Sequence, residues 1–411
     1  MVDHRSVSNS PAPMLSVDEH RATVAALLPS TPVERRPLAE CLGLALAEDL
    51  PAAIPLPPFH NSAMDGYAVR VEDLAGAGAD SPVALPVAED VPAGRVDNPP
   101  LRPGTAHRIM TGAQMPPGAD GVVPVELTDG GVEQVHIQRE PSPGANVRRA
   151  GDDVARGTVV LTHGTTLGAS QIGVAAAVGA AELAVHRPPR VLVLSTGSEL
   201  VAPGVPLQPG QIYESNGAML AAAVRQAGAE ARLLRFVPDD VAEFQAELEP
   251  HLADTDLVLT SGGVSAGAYE VVKDAFEGQG VEFRKVAVQP GMPQGAGSYR
   301  NVAVVTLPGN PVSSMVSFEV FVRSALRACG GHRVRERVRV RATTTEAADS
   351  PEGKRQFRRG RFAPDSGSVS WAGGAGSHLL AAMATADCLV DLPAATTRVE
   401  PGDSVTALLL D

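Results

Sequence analysis

Glu199, Asp239, Asp240 and Glu270 are carboxylates at or just beyond the ends of short β-branched runs, with no Cys or His beside them. An oxygen-only donor set next to a phosphate site suits magnesium, a hard ion held through carboxylates, water and ligand phosphates. Each acid also has a plainer role open to it. Asp239 or Asp240 could cap the following helix, and Glu270 could complement a helix dipole. The phosphate site itself is suggested by Ser261-Gly262-Gly263-Val264-Ser265-Ala266-Gly267. Gly262, Gly263 and Gly267 let backbone amides approach a ligand closely, and Ser261 and Ser265 add hydroxyl donors. A helix beginning near Tyr269 would offer its N-terminal amides to the same anion. Lys273, one turn after Glu270, and Lys285, on the run Glu282 to Val288, could each neutralise phosphate as a point charge. A surface position is the plain reading of Lys273, whereas Lys285 in a buried parallel strand would need a partner. Two further loops, Ser195-Thr196-Gly197-Ser198-Glu199 and Pro308-Gly309-Asn310-Pro311, complete the set, and Asn310 could read an amide or base edge. No Ser/His/Asp arrangement is evident, so nucleophilic hydrolysis gains little support.

The elements that would hold these loops follow from the pattern around them. Val191 to Leu194, Leu257 to Thr260 and Val302 to Leu307 read as buried strands, and each runs into one of the loops. Helix-length stretches at Ala218 to Ala227, Asp240 to Leu252 and Val312 to Cys329 lie between or after them. Alternating strand and helix predicts a parallel sheet with helices on both faces, and such sheets bind ligands beyond the carboxyl ends of their strands. All three loops therefore belong to one edge.

A chain of 411 residues exceeds what one core usually organises, so more than one domain is expected. The 41 glycines and 35 prolines predict many short strands and turns outside the α/β segment. A net charge of −13 argues against a nucleic-acid or anionic-membrane surface. Cys41, Cys329 and Cys388 are scattered without a C-x-x-C, which fits neither a disulfide framework nor a zinc knuckle and suggests a reducing cytoplasm. No apolar run approaches the roughly 20 residues of a membrane span, and the N-terminus lacks a signal-peptide pattern.

Taken in order, residues 1–13 read as a disordered tail. Ser16 and Glu19 form a capping box for a helix to about Leu28. A second helical pattern is expected from Arg36 to Asp49, then an extended linker from Pro51 to Pro58. Asn61-Ser62-Ala63-Met64-Asp65-Gly66-Tyr67-Ala68-Val69 brings Asn61, Ser62 and Asp65 onto one loop, where side chains capping their own backbone are the plain reading. From Pro82 to Asn146 short alternating strands predict an all-β insertion, and Thr111 ends one of them in Arg108-Ile109-Met110-Thr111-Gly112-Ala113. In Asn146-Val147-Arg148-Arg149-Ala150-Gly151-Asp152-Asp153 surface ion pairing is the default, with an anion or subunit contact as the other reading. Gly164 to Gly179 reads as a small-residue helix. After Gly331, Arg- and Thr-rich alternation opens a terminal β domain that runs to Asp411.

The Asn61 to Val69 string, Met110-Thr111-Gly112, the Asn146 to Asp153 run, Ser195 to Leu200, Gln211-Ile212-Tyr213, Ser261 to Gly267 and Pro308 to Ser313 together resemble the MoeA family. These are the molybdopterin molybdenumtransferases, related to the gephyrin E domain. The resemblance implies a multidomain α/β plus β fold. It comprises a central doubly wound, MogA/MoaB-like parallel-sheet domain at 189–331 and a β-rich inserted domain at 59–146. A linking domain at 15–58 and 147–188 and a C-terminal β-barrel-like domain at 332–411 complete it. It implies a cytoplasmic, magnesium-dependent transferase of molybdenum cofactor biosynthesis that takes adenylated molybdopterin and molybdate and releases AMP. It also implies a homodimer with a shared active site, with MogA-like and molybdoenzyme partners. By motif, catalytic roles fall to Glu199, Asp240, Thr111 and Asp65, and metal binding to Glu199, Asp239, Asp240 and Glu270. Pterin, nucleotide and molybdate contacts fall to Ser62, Thr196, Gly197, Ser261, Gly262, Gly263, Ser265, Gly267, Lys273, Lys285, Pro308, Asn310, Arg355 and Ser377. The chain departs from the pattern at His60, where many members have Asp, at Glu270, which replaces Asp, and at Gln289 and Met292, where some have Lys. The anion-holding arginine of the C-terminal motif falls on Arg355 with a shifted register in Gly353-Lys354-Arg355-Gln356-Phe357-Arg358-Arg359. A MogA-like adenylyltransferase and a cofactor-binding or scaffolding module without turnover are the rival readings.

Overall fold

Residues 14–197, 199–237, 240–262 and 271–410 are described by a computed structural model of the chain. The capping box forms as expected: Glu19 N donates to Ser16 Oγ at 3.2 Å and Ser16 N to the Glu19 carboxylate at 2.7 Å. It opens α1 (Val17–Ala26), whose Val17 and Val24 are buried in the core of the α/β unit. After β1 (Val33–Pro37) comes one 3-10 turn, Leu38–Glu40, and the helix expected from Arg36 to Asp49 does not form. Gly43 sits at φ +81°, which a helix interior excludes, and Leu44 and Leu46 are buried while Leu42 is exposed. The buried run Leu44 to Leu46 is extended instead, with Ala45 and Leu46 forming bridges to Thr166 and Val185. The proline-rich stretch is docked rather than a free linker. It starts at β2 (Leu50–Pro51), and Leu56 N donates to Val154 O at 2.8 Å just before a cis Leu56–Pro57 bond.

A β-rich arm follows, as the all-β pattern predicts. Its strands are β3 (Asn61–Ser62), β4 (Gly66–Val69), β5 (Val83–Val91), β6 (Ala106–Ile109), β7 (Gly121–Pro124), β8 (Gln134–Ile137) and β9 (Val147–Arg148). Five make one sheet in the order β7-β4-β6-β5-β8 over Tyr67, Leu74, Leu85, Val123 and Ile137. β3 pairs with β9 at the base. The chain then returns through β10 (Val159–Leu161), which pairs with β2, then α2 (Ala169–Ala177) and β11 (Glu182–His186), which pairs with β1. α2 is shorter than the expected Gly164 to Gly179 because Gly168 is its N-cap and Thr166 is taken by the bridge to Ala45.

The α/β unit contains β12 (Arg190–Thr196), β13 (Leu200–Val201), β14 (Ile212–Tyr213), α3 (Asn216–Gln226), β15 (Glu230–Val237), α4 (Val241–Leu248), β16 (Leu257–Ser261) and α5 (Val271–Phe276). It continues through β17 (Val281–Lys285), β18 (Val288–Gln289), β19 (Pro293–Tyr299), β20 (Val302–Leu307), α6 (Pro311–Ser317) and α7 (Arg323–Cys329), with a π-helical turn at Phe318–Val322 between the last two. The main sheet runs β15-β12-β16-β20-β19-β17, parallel through β20 and antiparallel beyond it. Alternate residues of β12 serve two cores: Val191 and Val193 on the α3 side, Leu192 and Leu194 on the side of Phe244 and Phe276. Lys285 is not in a buried parallel strand. It ends an antiparallel edge strand and is exposed, so its charge needs no buried partner.

The C-terminal strands β21 (Arg339–Thr344), β22 (Ala348–Asp349), β23 (Arg355–Ala363) and β24 (Ser368–Trp371) are followed by α8 (Leu380–Ala384), β25 (Cys388–Leu392), β26 (Arg398–Val399) and β27 (Ser404–Leu409). The order β23-β24-β21-β27-β25 closes on itself through β25–β23 pairing, giving a five-stranded barrel to which β18 adds an edge. All three cysteines are free and buried, Cys41 in the N-terminal core, Cys329 in the α/β core and Cys388 in the barrel.

Candidate functional site

β12, β16 and β20 are neighbours and end in register, Ser195 opposite Ser261 and Ser261 opposite Leu307. Their loops touch. Gly262 N donates to Leu307 O at 3.0 Å, and a Cβ on Gly309 would lie 3.4 Å from Gly262 Cα. Gly262, at φ +94°, also packs close to Thr196, whose O and Oγ1 would lie 3.6 and 3.7 Å from a Cβ there. Glu199 is exposed and its carboxylate folds over Gly197, where a side chain would meet it at 2.7 Å. From α3, Asn216 Nδ2 donates to Gly309 O at 2.7 Å. Asn310 is the N-cap of α6 but makes no side-chain cap bond among the described residues, which leaves its amide for a ligand. At the same helix start Val312 N donates to Ser377 O at 3.2 Å, so a barrel loop is drawn to the sheet edge.

The acids divide. Asp240 realises the plainer role: its Oδ1 accepts from Ala242 N at 2.9 Å and Glu243 N at 3.0 Å and caps α4. Both bonds use one oxygen, so Oδ2 stays available to a cation. Asp239, Glu270, Gly263, Ser265 and Gly267 lie outside the described residues, as does the expected helix start near Tyr269. Among the described residues no group of three or more His, Cys, Asp or Glu side chains is gathered as a metal cluster. Lys273 is 3.9 Å from Glu277, one turn along α5.

Arg355 and Arg359 have opposite surroundings. Arg355 donates to both oxygens of the largely buried Asp391 at 2.7 and 2.6 Å, with Asp18 at 3.3 Å. Arg359 is 4 % exposed and faces no carboxylate within ion-pair distance among the described residues. It donates to Ala372 O and Gly374 O, in the loop that carries Ser377. Burial, together with neighbouring Arg358, pushes its pKa below the ordinary guanidinium value. Of the adjacent Arg358 and Arg359 on β23, Arg359 is the buried one, and it stands beside Arg355 as a second candidate for the anion.

In the arm, Asp65 Oδ1 accepts from Thr111 N at 2.6 Å and Thr111 Oγ1 at 2.8 Å, and both residues are exposed. These two donors, backbone first, hold the Asp65 carboxyl below its usual range. Ser62 is buried and turns inward, its Oγ donating to Met64 O at 2.6 Å. His60 Nδ1 accepts from Ala150 N at 3.0 Å. Expected ion pairs between Arg148 or Arg149 and Asp152 or Asp153 are absent among the described residues; Asp152 instead accepts from Arg149 N at 2.6 Å. No described hydrogen bond or ion pair joins residues 59–150 to 190–410.

Comparison with known proteins decides the family. Three profiles match in order: the MoeA N-terminal region (domain I and II) over residues 15–179, the Probable molybdopterin binding domain over 192–328 and the MoeA C-terminal region (domain IV) over 341–410. The chain is 53% identical over 396 residues to molybdopterin molybdenumtransferase 2 of Mycobacterium tuberculosis, covering 95% of this chain and 98% of that one. The chain belongs to the molybdopterin molybdenumtransferase family. Its members are transferases of molybdenum cofactor biosynthesis. The Haemophilus influenzae molybdopterin molybdenumtransferase is 36% identical over 402 residues, covering 96% of this chain and 98% of that one. A crystal structure of the molybdopterin biosynthesis MoeA protein from Pyrococcus horikosii superposes with a TM-score of 0.81 at 31% identity, covering 97% of this chain and 100% of that one. Among the described residues no helix is long and apolar enough to cross a membrane.

Proposed function

We propose that the chain inserts molybdate into adenylated molybdopterin with release of AMP, in a cleft between the α/β sheet edge and the barrel that a second copy completes. The Val312–Ser377 hydrogen bond carries this reading, because it draws the barrel loop containing Ser377 to the strand-end loops that suit a phosphate. The hydroxyls of Thr196 and Ser261, beside the Gly262 turn, donate to phosphate oxygens, and Asn310 meets an amide or ring edge of the substrate. Arg359, buried without an acid, offers charge to the molybdate oxyanion on the side of Ser377. The exposed Glu199 and the free oxygen of Asp240 are hard donors of the kind that magnesium takes, and the ion, when bound, would offset phosphate charge as AMP leaves.

The Asp65–Thr111 pair belongs to the same reaction but not to the same copy in this reading. Its exposure and its separation from residues 190–410 support a homodimer in which the arm of one copy faces the sheet edge of the other. An anaerobic assay of purified protein with adenylated molybdopterin, molybdate and magnesium is expected to show AMP release that depends on molybdate. AMP release that is absent, or that proceeds equally without molybdate, rejects the proposal.

A further inference from the structure

Glu214 is 1 % exposed, just ahead of α3, and the sequence pattern gave it no role. Its Oε1 accepts two hydrogen bonds, from Ser195 Oγ at 3.0 Å and from Gly217 N at 2.5 Å. Its own N donates to Val201 O at 2.9 Å. Ser195 is the next-to-last residue of β12 (Arg190–Thr196), so one carboxylate joins the two feet of the segment that carries Glu199. Gly217 is what allows this approach: a Cβ there would lie 2.6 Å from Ser195 Oγ and 3.1 Å from Glu214 Oε1. One residue earlier, Asn216 reaches across to Gly309 O. The four residues 214–217 therefore tie the loop after β12 to the loop after β20. Glu214 Oε2 and Asn216 Oδ1 are buried without a partner among the described residues, a desolvation cost that packing alone does not require.

We infer that Glu214 is a positioning residue of the transfer site, setting the Glu199 loop through Ser195 and the Gly309 loop through the start of α3. Its burial keeps it from touching substrate; it acts by holding two loops in one fixed relation. The kinetic part of this inference rests on the insertion reaction proposed above, whereas the structural part does not.

The test combines hydrogen exchange of peptides covering 196–213 and 305–312 with steady-state turnover, in wild type and in Glu214→Ala, Glu214→Gln, Ser195→Ala and the Ser195→Ala/Glu214→Ala double variant. Glu214→Ala is expected to lower protection about tenfold or more in both peptides at once while the barrel strands stay protected. It should lower kcat at least about tenfold with KM for the adenylated substrate within about threefold. Glu214→Gln keeps an acceptor at Oε1 and is expected to restore both readouts to within about threefold of wild type. Ser195→Ala should loosen only 196–213, and the double variant should be no worse than Glu214→Ala alone, since the pair acts as one unit. Unchanged protection and kcat in Glu214→Ala overturns the inference, as does loosening spread evenly over the whole chain. If Glu214→Ala does not fold, unchanged protection of 196–213 in Ser195→Ala overturns it instead. A wild type that releases no AMP rejects the reaction, while paired loosening of the two peptides still upholds the clasp.

Discussion

The sheet-edge site and the Asp65–Thr111 pair are built by opposite means. At the sheet edge, β12, β16 and β20 are anchored in two cores, and their loops reach one another through backbone atoms and buried polar side chains. In the arm, one exposed carboxylate and one exposed threonine satisfy each other across a single sheet end. The first arrangement gathers loops from several elements of one core, and the second leaves two exposed groups at a sheet end. The difference is what the proposed homodimer would need: one region that forms a site wall and another that can reach into a second copy.

Mixing two inactive variants breaks or sharpens this contrast most directly. Asp65→Ala and Glu199→Ala should each lower turnover by about 100-fold. In a dimer with shared sites, co-expression of the two restores roughly a quarter of wild-type activity, because half the dimers are mixed and each of those has one intact site. Recovery no greater than either parent places both residues in one copy. At the sheet edge itself, Asp240→Asn keeps an oxygen to cap α4 but removes the charge. Turnover should fall about tenfold or more with an unchanged thermal midpoint, whereas Asp240→Ala should also lose about 1 kcal/mol of stability. A normal rate in Asp240→Asn reduces Asp240 to a cap.

The barrel offers the same contrast in two arginines. Arg359→Met should raise the KM for molybdate about tenfold. Arg355→Met removes both hydrogen bonds to Asp391, leaving it the longer contact with Arg339 at 3.9 Å, and should cost about 2 kcal/mol in denaturant unfolding without raising that KM. Exchange of these two outcomes would return the anion to Arg355. The smallest effect is expected in the arm. Thr111→Val removes one donor to Asp65 and leaves the backbone donor, so the lowered Asp65 pKa should move part of the way up. The stabilisation of the folded state by this carboxylate is present above its ordinary pKa and is lost as pH falls through the folded value. The variant should therefore lose it at higher pH, seen as an upward shift of the acid limb of a pH–rate profile. An unmoved acid limb dissociates Asp65 ionisation from the reaction.

Much of the α/β unit was legible because its strands are continuous β-branched runs ending in glycine or proline turns, as at Val302–Leu307. The capping box at Ser16 was legible for the same reason: the local chemistry has one good solution. Arg36 to Asp49 misled because leucines spaced two and four apart suit both a helix and an irregular strand, and only the positive φ of Gly43 decides. Lys285 misled because hydropathy does not say whether a strand lies at the edge of a sheet. In the site, spacing pointed to the Gly262 and Gly309 loops and to Asp240. It could not show that Asp391 already holds Arg355, a contact spanning 36 residues. The role of Glu214 depends on Ser195, 19 residues earlier and on a different element, which no local motif records.

The placement of the three cysteines has a practical consequence. Each thiol is sealed in a different unit of the chain, and burial raises the Cys329 and Cys388 pKa values to about 12. The folded enzyme should thus resist thiol reagents, and each cysteine becomes reactive only when its own unit opens. Timed alkylation followed by peptide mapping would turn them into three internal clocks, reporting in one experiment which part of the molecule unfolds first.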